Sequence, residues 1–254
     1  MRGERGKRSF RLMSHLIATL FEISIVCFFI IMISCGLPTA EYLFPLDQDQ
    51  FSSEAGVLVI VHNKKNIDEP TISSIFLGYE IYYRVFDDKN EAEQSYYNIR
   101  NMTSSNVIQT ANYYQYYPLK HRISASGQYS LDISPLIKKE SLIKVSSNKY
   151  NLNMDTQGTW TLTDEGSNTV IDSIVRNRSD TASSADIVKA DFYRSSEYKV
   201  GDRDYAGTNS VTPGGSVYIV FFAFAYGFDP STMKNVYSDP VIILEPVEYS
   251  PGGT

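Results

Sequence analysis

The order of apolar and polar residues along the chain predicts a protein built mainly of β-strands. The clearest signal is the segment 76–86, FLGYEIYYRVF, in which apolar and more polar side chains alternate. Successive side chains of a strand point to opposite faces, so this pattern predicts a strand with one buried face. That face comprises Tyr79, Ile81, Tyr83 and Val85. The apolar runs at 56–61 and 216–227 predict two more strands, the second of them covered on both faces.

Two segments change to helical spacing. A helix is expected over about 89–101, because Asp87 or Asp88 can cap its start and acidic residues occupy its first turn. A weaker pattern predicts a second helix over 105–116, which Pro118 would stop. The helices interrupt an otherwise β-rich chain and predict an α+β segment within it.

Further strands are expected in the second half of the chain. Segments 158–163 and 169–176 predict a pair of strands joined by a turn. A last strand is expected over 236–244, where Pro240 fits only an edge strand or a strand start. The polar segment 62–70 is expected to be a loop. With 19 tyrosines and 13 phenylalanines, the composition also favours strands.

The first 34 residues have the three parts of a secretory signal. Basic side chains dominate residues 2–11, and an apolar run extends from Leu12 to Ile33. Its dense core, Ile23–Ile33, would span only about 16 Å as a helix, whereas the hydrocarbon core of a bilayer is about 30 Å thick. The longer run contains Glu22, and a carboxylate inside a bilayer is costly. The pattern therefore favours a signal peptide over a spanning helix.

The tetrapeptide at 32–35, MISC, resembles a bacterial lipobox. The resemblance implies that Cys35 becomes the first residue of the mature protein and carries lipid, which attaches the protein to a membrane. The alternative is an uncleaved signal anchor in which Cys35 has no role. On this interpretation the chain divides into a signal peptide at 1–34, a lipidated tether at 35–54 and a body at 55–249.

Two parts of the body are similar to fibronectin type III domains. The segment 76–86 is similar to the third strand of that fold, and SVYIVFFAFAYG with YSDPVIIL, within 216–244, is similar to its last two strands, with Tyr218 at the tyrosine-corner position. The resemblance implies a fibronectin III/immunoglobulin-like β-sandwich. Because about 130 residues separate the two parts, a large α+β insertion is expected at about 87–210.

The chain as a whole also resembles a group of bacterial proteins. The motifs SCGLPT, GYEIYYR and FFAFAYGFDPST together are similar to lipoproteins of spirochaetes, treponemes in particular. This resemblance implies a location in the cell envelope, with the lipid in the outer or inner membrane and the body periplasmic or surface-exposed. It implies no known activity.

Charge and cysteine content restrict the partners of the body. Residues 35–254 hold 18 basic and 27 acidic side chains, a net charge of −9. Nucleic acid is therefore not an expected partner, because phosphate contacts need clustered lysine and arginine. Both cysteines, Cys27 and Cys35, lie in or at the signal. Disulfides, thiol catalysis and cysteine-based metal sites are therefore not expected in the body.

Few residues of the body suggest catalysis or metal binding. His62 and His121 lack metal-ligand spacing and are expected to be surface or loop histidines. The segment 202–207, DRDYAG, has the alternating oxygens of a calcium loop, but Ala206 and Pro213 stand where further ligands are needed, so a solvated turn is expected. No metal, cofactor or enzyme activity is expected. A hydrolase built from scattered Asp and Glu is the least favoured alternative.

Tyr113, Tyr114, Tyr116 and Tyr117 form the most suggestive feature of the body. Exposed tyrosines make good contact surfaces, so they are a candidate binding surface for protein or glycan, and the alternative is that they cover the core. The sequence thus predicts a lipid-anchored, non-enzymatic envelope protein that binds protein or glycan. A structural or assembly subunit of a periplasmic membrane complex is the alternative.

Overall fold

The computed structural model describes residues 42–54, 56–121, 135–144, 148–178, 191–212 and 214–252. Within these ranges the protein is mainly β, with two antiparallel sheets and a layer of helices against one of them. The predicted signal peptide and Cys35 lie outside the described residues. The helices that are described are all too short or too polar to cross a membrane.

The described strands are β1 Phe51–Glu54, β2 Val57–Val61, β3 Phe76–Phe86, β4 Tyr117–Pro118, β5 Lys120–His121, β6 Ile137–Lys138, β7 Lys149–Asn153, β8 Trp160–Asp164, β9 Val170–Val175, β10 Val217–Asp229, β11 Lys234–Tyr237, β12 Val241–Ile242 and β13 Val247–Tyr249. The described helices are α1 Lys65–Asp68, α2 Pro70–Ile75, α3 Lys89–Ile99, α4 Val107–Tyr113 and α5 Lys139–Lys144, with short 3-10 helices at Gln48–Gln50 and Ser195–Glu197.

The strands form two sheets. Sheet A has the order β1–β2–β7–β8–β9–β5. Sheet B has the order β11–β10–β3–β4, with β12 and β13 also paired to β10 and β6 paired to β3. β10 is the centre of sheet B, because β3 runs along one side of it and β11, β12 and β13 follow one another along the other.

The larger core lies between the two sheets. The predicted apolar face of β3 is fully buried there, together with the inward residues of β2, β7 and β8. Trp160 lies flat on Phe192 with 3.7 Å between the ring centroids, and Phe192 in turn contacts Tyr83 edge-on at 5.2 Å. The alternation read from the sequence therefore does face a sandwich interior, as expected.

A second core lies on the other face of sheet B. Val220, Phe222 and Phe224 of β10 are buried there against residues of α3 and α4, among them Ile99 and Ala111. β10 is therefore covered on both faces, as its continuous apolar run predicts, by sheet A on one side and by helices on the other.

Several predicted elements are confirmed. β3 occupies the predicted 76–86, and β8 and β9 form the expected antiparallel pair. α3 begins after Asp88, whose Oδ1 accepts a hydrogen bond from the Glu91 N–H at 3.0 Å, as an N-cap does. The weaker helix is also present as α4, although it is shorter than predicted.

Other expectations need correction. The segment 87–210 contains helices and strands, as expected of an α+β insertion, but it also supplies β5, β7, β8 and β9 of sheet A and is therefore part of the two-sheet core. The predicted tether is also too long: Leu43 is fully buried and β1, at 51–54, is a strand of the body. Tyr42 remains largely exposed.

Two local predictions are also wrong. The expected loop at 62–70 contains α1 and the start of α2, which Pro70 begins at its first position. The last strand is interrupted: β11 ends before Pro240 and β12 begins after it, since proline has no N–H to donate to the ladder. The interruption leaves an irregular edge on sheet B.

A glycine is required where β6 approaches β3. Gly78 has φ +151°, and a Cβ at this position would lie 2.1 Å from the carbonyl oxygen of Ile137. Gly78 pairs with Lys138 across the two strands. Any side chain here would push β6 away from sheet B.

Candidate functional site

The four tyrosines expected to form a binding surface differ widely in their exposure. Tyr113 is 78% exposed, but Tyr116 is completely buried and its hydroxyl lies 2.8 Å from Ser95 Oγ. Tyr114 packs partly buried against the helical core, and the guanidinium of Arg203 covers the ring of Tyr117 at 4.6 Å. The prediction of an exposed tyrosine is wrong for Tyr116, and a binding role for the other three stays a prediction.

The reason is the backbone path through the cluster. α4 ends at Tyr113, Gln115 adopts a positive φ of 57°, and the chain then enters β4 at Tyr117. The turn sends successive rings in different directions. The alternative recognised from the sequence, that these tyrosines cover the core, describes Tyr116 well.

The segment 202–207 is neither a calcium loop nor a solvated turn. Asp204 is fully buried and receives two hydrogen bonds from Arg176, from Nε to Oδ2 at 3.1 Å and from Nη2 to Oδ1 at 2.8 Å. The hydroxyl of Tyr83 donates to Asp204 Oδ2 at 2.5 Å. The segment is thus fixed to β3 inside the protein.

Asp202, the other aspartate of this segment, is also bound by arginine. Asp202 accepts two hydrogen bonds from Arg178 at 2.9 Å each and one from Arg176 at 3.2 Å. Burial alone would lower the pKa of Arg176, but Asp204 and the neighbouring tyrosines raise it above its usual value. The two carboxylates therefore neutralise guanidinium groups and are not arranged around a metal ion. Among the described residues there is no group of three or more side chains able to hold a metal ion.

The two histidines have different surroundings. His62 lies in the loop after β2, as expected, but it is not a surface residue, because it is only 6% exposed, and burial lowers its pKa. His121 lies in β5, and its Nδ1 is 2.5 Å from Asp172 Oδ2. Each histidine is part of the packing at the end of a strand.

Glu80, on β3, has an unusual acidity for a carboxyl group. Burial raises the pKa of Glu80 to about 8, and Lys120 partly opposes this shift. Raised carboxyl pKa values occur at catalytic sites but also follow from burial alone. Of the described charged groups, Lys120 is the one that acts on Glu80, whereas a facing carboxylate of a hydrolase would raise the pKa further.

A groove of about 860 Å³ opens along one side of the sandwich. Its volume falls within the range of about 300–1,000 Å³ that is usual for ligand sites. It lies between β1, at the edge of sheet A, and the segment that joins β12 to β13 at the edge of sheet B. The lining residues are Gln48, Asp49, Phe51, Ser52, Ser53, Gly56, Ile243, Leu244, Glu245, Pro246, Val247 and Glu248.

The sheet B side of this groove is a bulge. Phe222 pairs with Ile242, whereas Ile219, three residues earlier on β10, pairs with Val247, five residues later on the outer strand. The two additional residues bulge away from the sheet and leave Leu244 63% exposed. Bulges and prolines of this kind prevent a further strand from pairing at an edge.

A smaller cleft adjoins the groove. The segment 244–246 also lines a cleft of about 260 Å³, whose opposite wall is α3 with Lys89, Glu93, Tyr96 and Tyr97. Tyr97 is 54% exposed, so two large apolar side chains, Leu244 and Tyr97, stand open to solvent around this cleft. The bulge is therefore a ridge with a concave surface on each side.

The groove is acidic. Asp49, Glu245 and Glu248 line it, and among its described lining residues there is no lysine, arginine or histidine. None of the ion pairs found within the described chain involves these three carboxylates. The groove therefore presents three carboxylates that no ion pair within the described chain neutralises, beside an open strand edge.

Sequence reasoning missed the groove because it assigned β1 to the tether. A signal was present: the polar segment 52–54 precedes Gly56 and a β-branched run, and a short strand, a glycine and a second strand are typical of a hairpin. The bulge has no comparable signal in the sequence.

Comparisons with protein-family models, with curated proteins and with solved structures found no match to this chain.

Proposed function

We propose that this protein is a lipid-anchored protein of the cell envelope whose body binds another polypeptide and catalyses no reaction. The observation that carries the binding proposal is the groove of about 860 Å³ beside the edge strand β1. Sites of this size that combine an open strand edge with exposed apolar side chains suit a peptide ligand.

The anchor is proposed from the sequence around Cys35. A short apolar core followed by MISC supports cleavage before Cys35 and attachment of lipid to its thiol and amino groups. Several acyl chains would hold the protein stably, since one chain binds membranes only reversibly. The resemblance to spirochaetal lipoproteins supports the same location in the outer or inner membrane.

We further propose that the sandwich is of the fibronectin III/immunoglobulin type. In immunoglobulin-type sandwiches one sheet contains the third strand and the last two, and the other pairs the first two strands with a later one. In sheet B, β3, β10 and β11 are neighbours and correspond to the third strand and the last two. In sheet A, β1, β2 and β7 are neighbours and correspond to the first two strands and the later one. On this interpretation β8 and β9 extend sheet A beyond the common core. Tyr218 departs from the family pattern, because it packs on the helical side of β10.

A polypeptide is a better candidate ligand than a glycan. Glycan sites use open aromatic faces, but Tyr116 is buried and Arg203 covers the ring of Tyr117. The groove instead offers backbone groups of β1, the exposed Leu244 and three carboxylates. These features match the backbone and side chains of an extended peptide.

The binding proposal is tested by crosslinking in living cells. A photoreactive amino acid replaces Leu244 in the groove or, as the control, Val170, which is 56% exposed on β9, four strands from β1. We expect a discrete crosslinked species of higher mass from position 244 and none from 170. Equal crosslinking at both positions, or none at either, would contradict a ligand in the groove.

A second candidate is a structural or assembly subunit that sits on a membrane complex. The exposed Leu244 and Tyr97 favour it, since apolar side chains grouped on a surface are typical of interfaces. Protease treatment of intact and permeabilised cells separates the two. Cleavage on intact cells supports a binding protein facing the environment, and cleavage only after permeabilisation supports the periplasmic subunit.

The same experiment tests the anchor. A Cys35→Ser variant is expected to lose its membrane attachment, because serine has no thiol to which the lipid could be joined. If Cys35→Ser remains membrane-bound and uncleaved, residues 12–33 are a spanning anchor and the lipoprotein proposal is wrong.

A further inference from the structure

We propose that the ligand in the groove is an extended polypeptide segment with basic side chains that adds to β1 as a further strand of sheet A. This inference rests on the proposed function, because it states how the groove would hold its ligand.

The hydrogen bonds of β2 show which backbone groups of β1 are open. Met154 N–H donates to the Gly56 carbonyl at 2.8 Å, and His62 N–H donates to the Asn148 carbonyl at 2.9 Å. In an antiparallel ladder the bonding direction alternates, so even-numbered residues of β2 bond to β7 and odd-numbered ones bond to β1. Val57 and Val59 pair with Glu54 and Ser52.

The remaining residues of β1 therefore face the groove. Ser53, between Ser52 and Glu54, directs its backbone N–H and C=O away from β2, to the side where sheet A ends in the described structure. The same alternation gives Phe51 this direction, while the Phe51 side chain remains in the core with 1% exposure. An added strand can thus bond to β1 without displacing any bond of the hairpin.

The two sheet edges beside the groove differ in whether they can pair with a further strand. Sheet B is closed to a further strand by the bulge at 244–246, which contains Pro246. The β1 edge carries small polar side chains, Ser52 and Ser53, and has neither a proline nor a lysine to repel a neighbour. A strand entering the groove would therefore pair with β1, and Leu244 would contact its side chains.

The negative charge of the groove indicates that the ligand is positively charged. Asp49, Glu245 and Glu248 surround this edge, without a basic side chain among the described lining residues. A segment with lysine or arginine at alternate positions would place positive charge next to these carboxylates. An acidic segment would meet repulsion, which favours specificity and a faster encounter for the basic one.

The proposal is tested with defined peptides and the full-length chain in detergent. The probes are fluorescent TKVKVKT, its acidic counterpart TEVEVET, and TKVKVKT methylated on alternate backbone nitrogens, measured by anisotropy. We expect TKVKVKT to bind at least tenfold more tightly than either of the others, and its affinity to fall as salt screens the charges. Equal binding of the methylated peptide would overturn strand addition, and equal binding of the acidic peptide would overturn the charge assignment.

Three variants locate the binding. Ser53→Pro removes the outward N–H of β1 but no ladder bond, and proline is tolerated at such edge positions, so we expect at least tenfold weaker binding of TKVKVKT. Glu248→Gln should weaken binding severalfold. The matched control Glu165→Gln, in the turn between β8 and β9, should leave it unchanged. Unchanged binding by both groove variants would overturn the site.

Failure of this inference is distinguishable from failure of the proposed function. A discrete crosslink from position 244 together with no binding of TKVKVKT would refute strand addition by a basic segment and leave a polypeptide ligand in place. Absence of both crosslinking and peptide binding would refute both.

Discussion

The buried ion pair between Arg176 and Asp204 allows a quantitative test of how the fold is held together. Both side chains have no exposed surface, and the pair joins the strand end at 176 to the segment 202–206. That segment in turn bonds to β3, through Val85 N–H to the Asp204 carbonyl at 2.9 Å. The network therefore connects the two sheets at one end of the sandwich.

Asp204→Asn would leave the Arg176 charge buried with a weaker partner. Breaking one side of a buried pair typically costs about 3–5 kcal/mol of unfolding free energy. Because Asp202 still accepts a hydrogen bond from Arg176 at 3.2 Å, we expect the lower end, about 3 kcal/mol. For a protein of this size, that loss lowers the melting temperature by about 6–12 °C.

Trp160 makes the measurement simple. It is the single tryptophan of the chain and is completely buried, so its fluorescence reports unfolding in urea. The matched control is Glu165→Gln, which breaks the partly exposed Lys149–Glu165 pair at 2.5 Å and should cost less than about 1 kcal/mol. If Asp204→Asn costs no more than the control, the buried pair does not stabilise the fold as described. Additive effects of Arg176→Met and Asp204→Asn in a double-mutant cycle would likewise contradict a direct interaction between the two side chains.

Three other predictions test separate parts of the structure. Glu80→Gln should become progressively more stable relative to the native chain from pH 5 to 8, because the pKa of Glu80 is about 8 in the folded protein against an ordinary 4.5, and the native chain loses stability as this carboxyl ionises. Urea titrations that show the same difference between the two proteins at every pH in this range would contradict the raised pKa. Gly78→Ala should lower the free energy of unfolding in urea by at least about 2 kcal/mol, because it combines a positive φ with a backbone clash. Gly201→Ala, where φ is +99° and the space is open, should cost only about 1 kcal/mol, and equal losses would contradict the close approach of β6. Asp88→Ala should cost about 1 kcal/mol of stability, because it removes the N-cap of α3. Glu93→Ala, which removes the exposed Lys89–Glu93 pair at 3.7 Å, should cost less than about 0.5 kcal/mol, and the reverse order in thermal unfolding would contradict the role of the cap.

The parts of the fold that sequence could predict are those with a strong local pattern. β3 and β10 are long, and their side chains alternate or are continuously apolar, so their faces follow from spacing alone. The N-cap of α3 is similarly local, since Asp88 and Glu91 are three residues apart. Each of these features depends on neighbours in the chain.

The parts that sequence could not predict depend on distant residues. Asp202 and Asp204 have the spacing of a calcium loop, and the arginines that neutralise them lie more than twenty residues away. Tyr116 cannot be distinguished from Tyr113 by type, because a turn at Gln115 decides which ring is buried. The groove arises from the meeting of β1 with a bulge nearly two hundred residues later, which no local pattern indicates.

The exchange rate of the Ser53 amide proton with solvent shows whether a ligand strand pairs with β1. In the free protein this N–H points into the groove, whereas the neighbouring Ser52 N–H faces β2. Residue-resolved exchange measured with and without saturating TKVKVKT should show at least tenfold slowing at Ser53 and little change at Ser52. Slowing at neither residue, or protection on β9 around Val170 instead, would contradict a strand that binds in this groove.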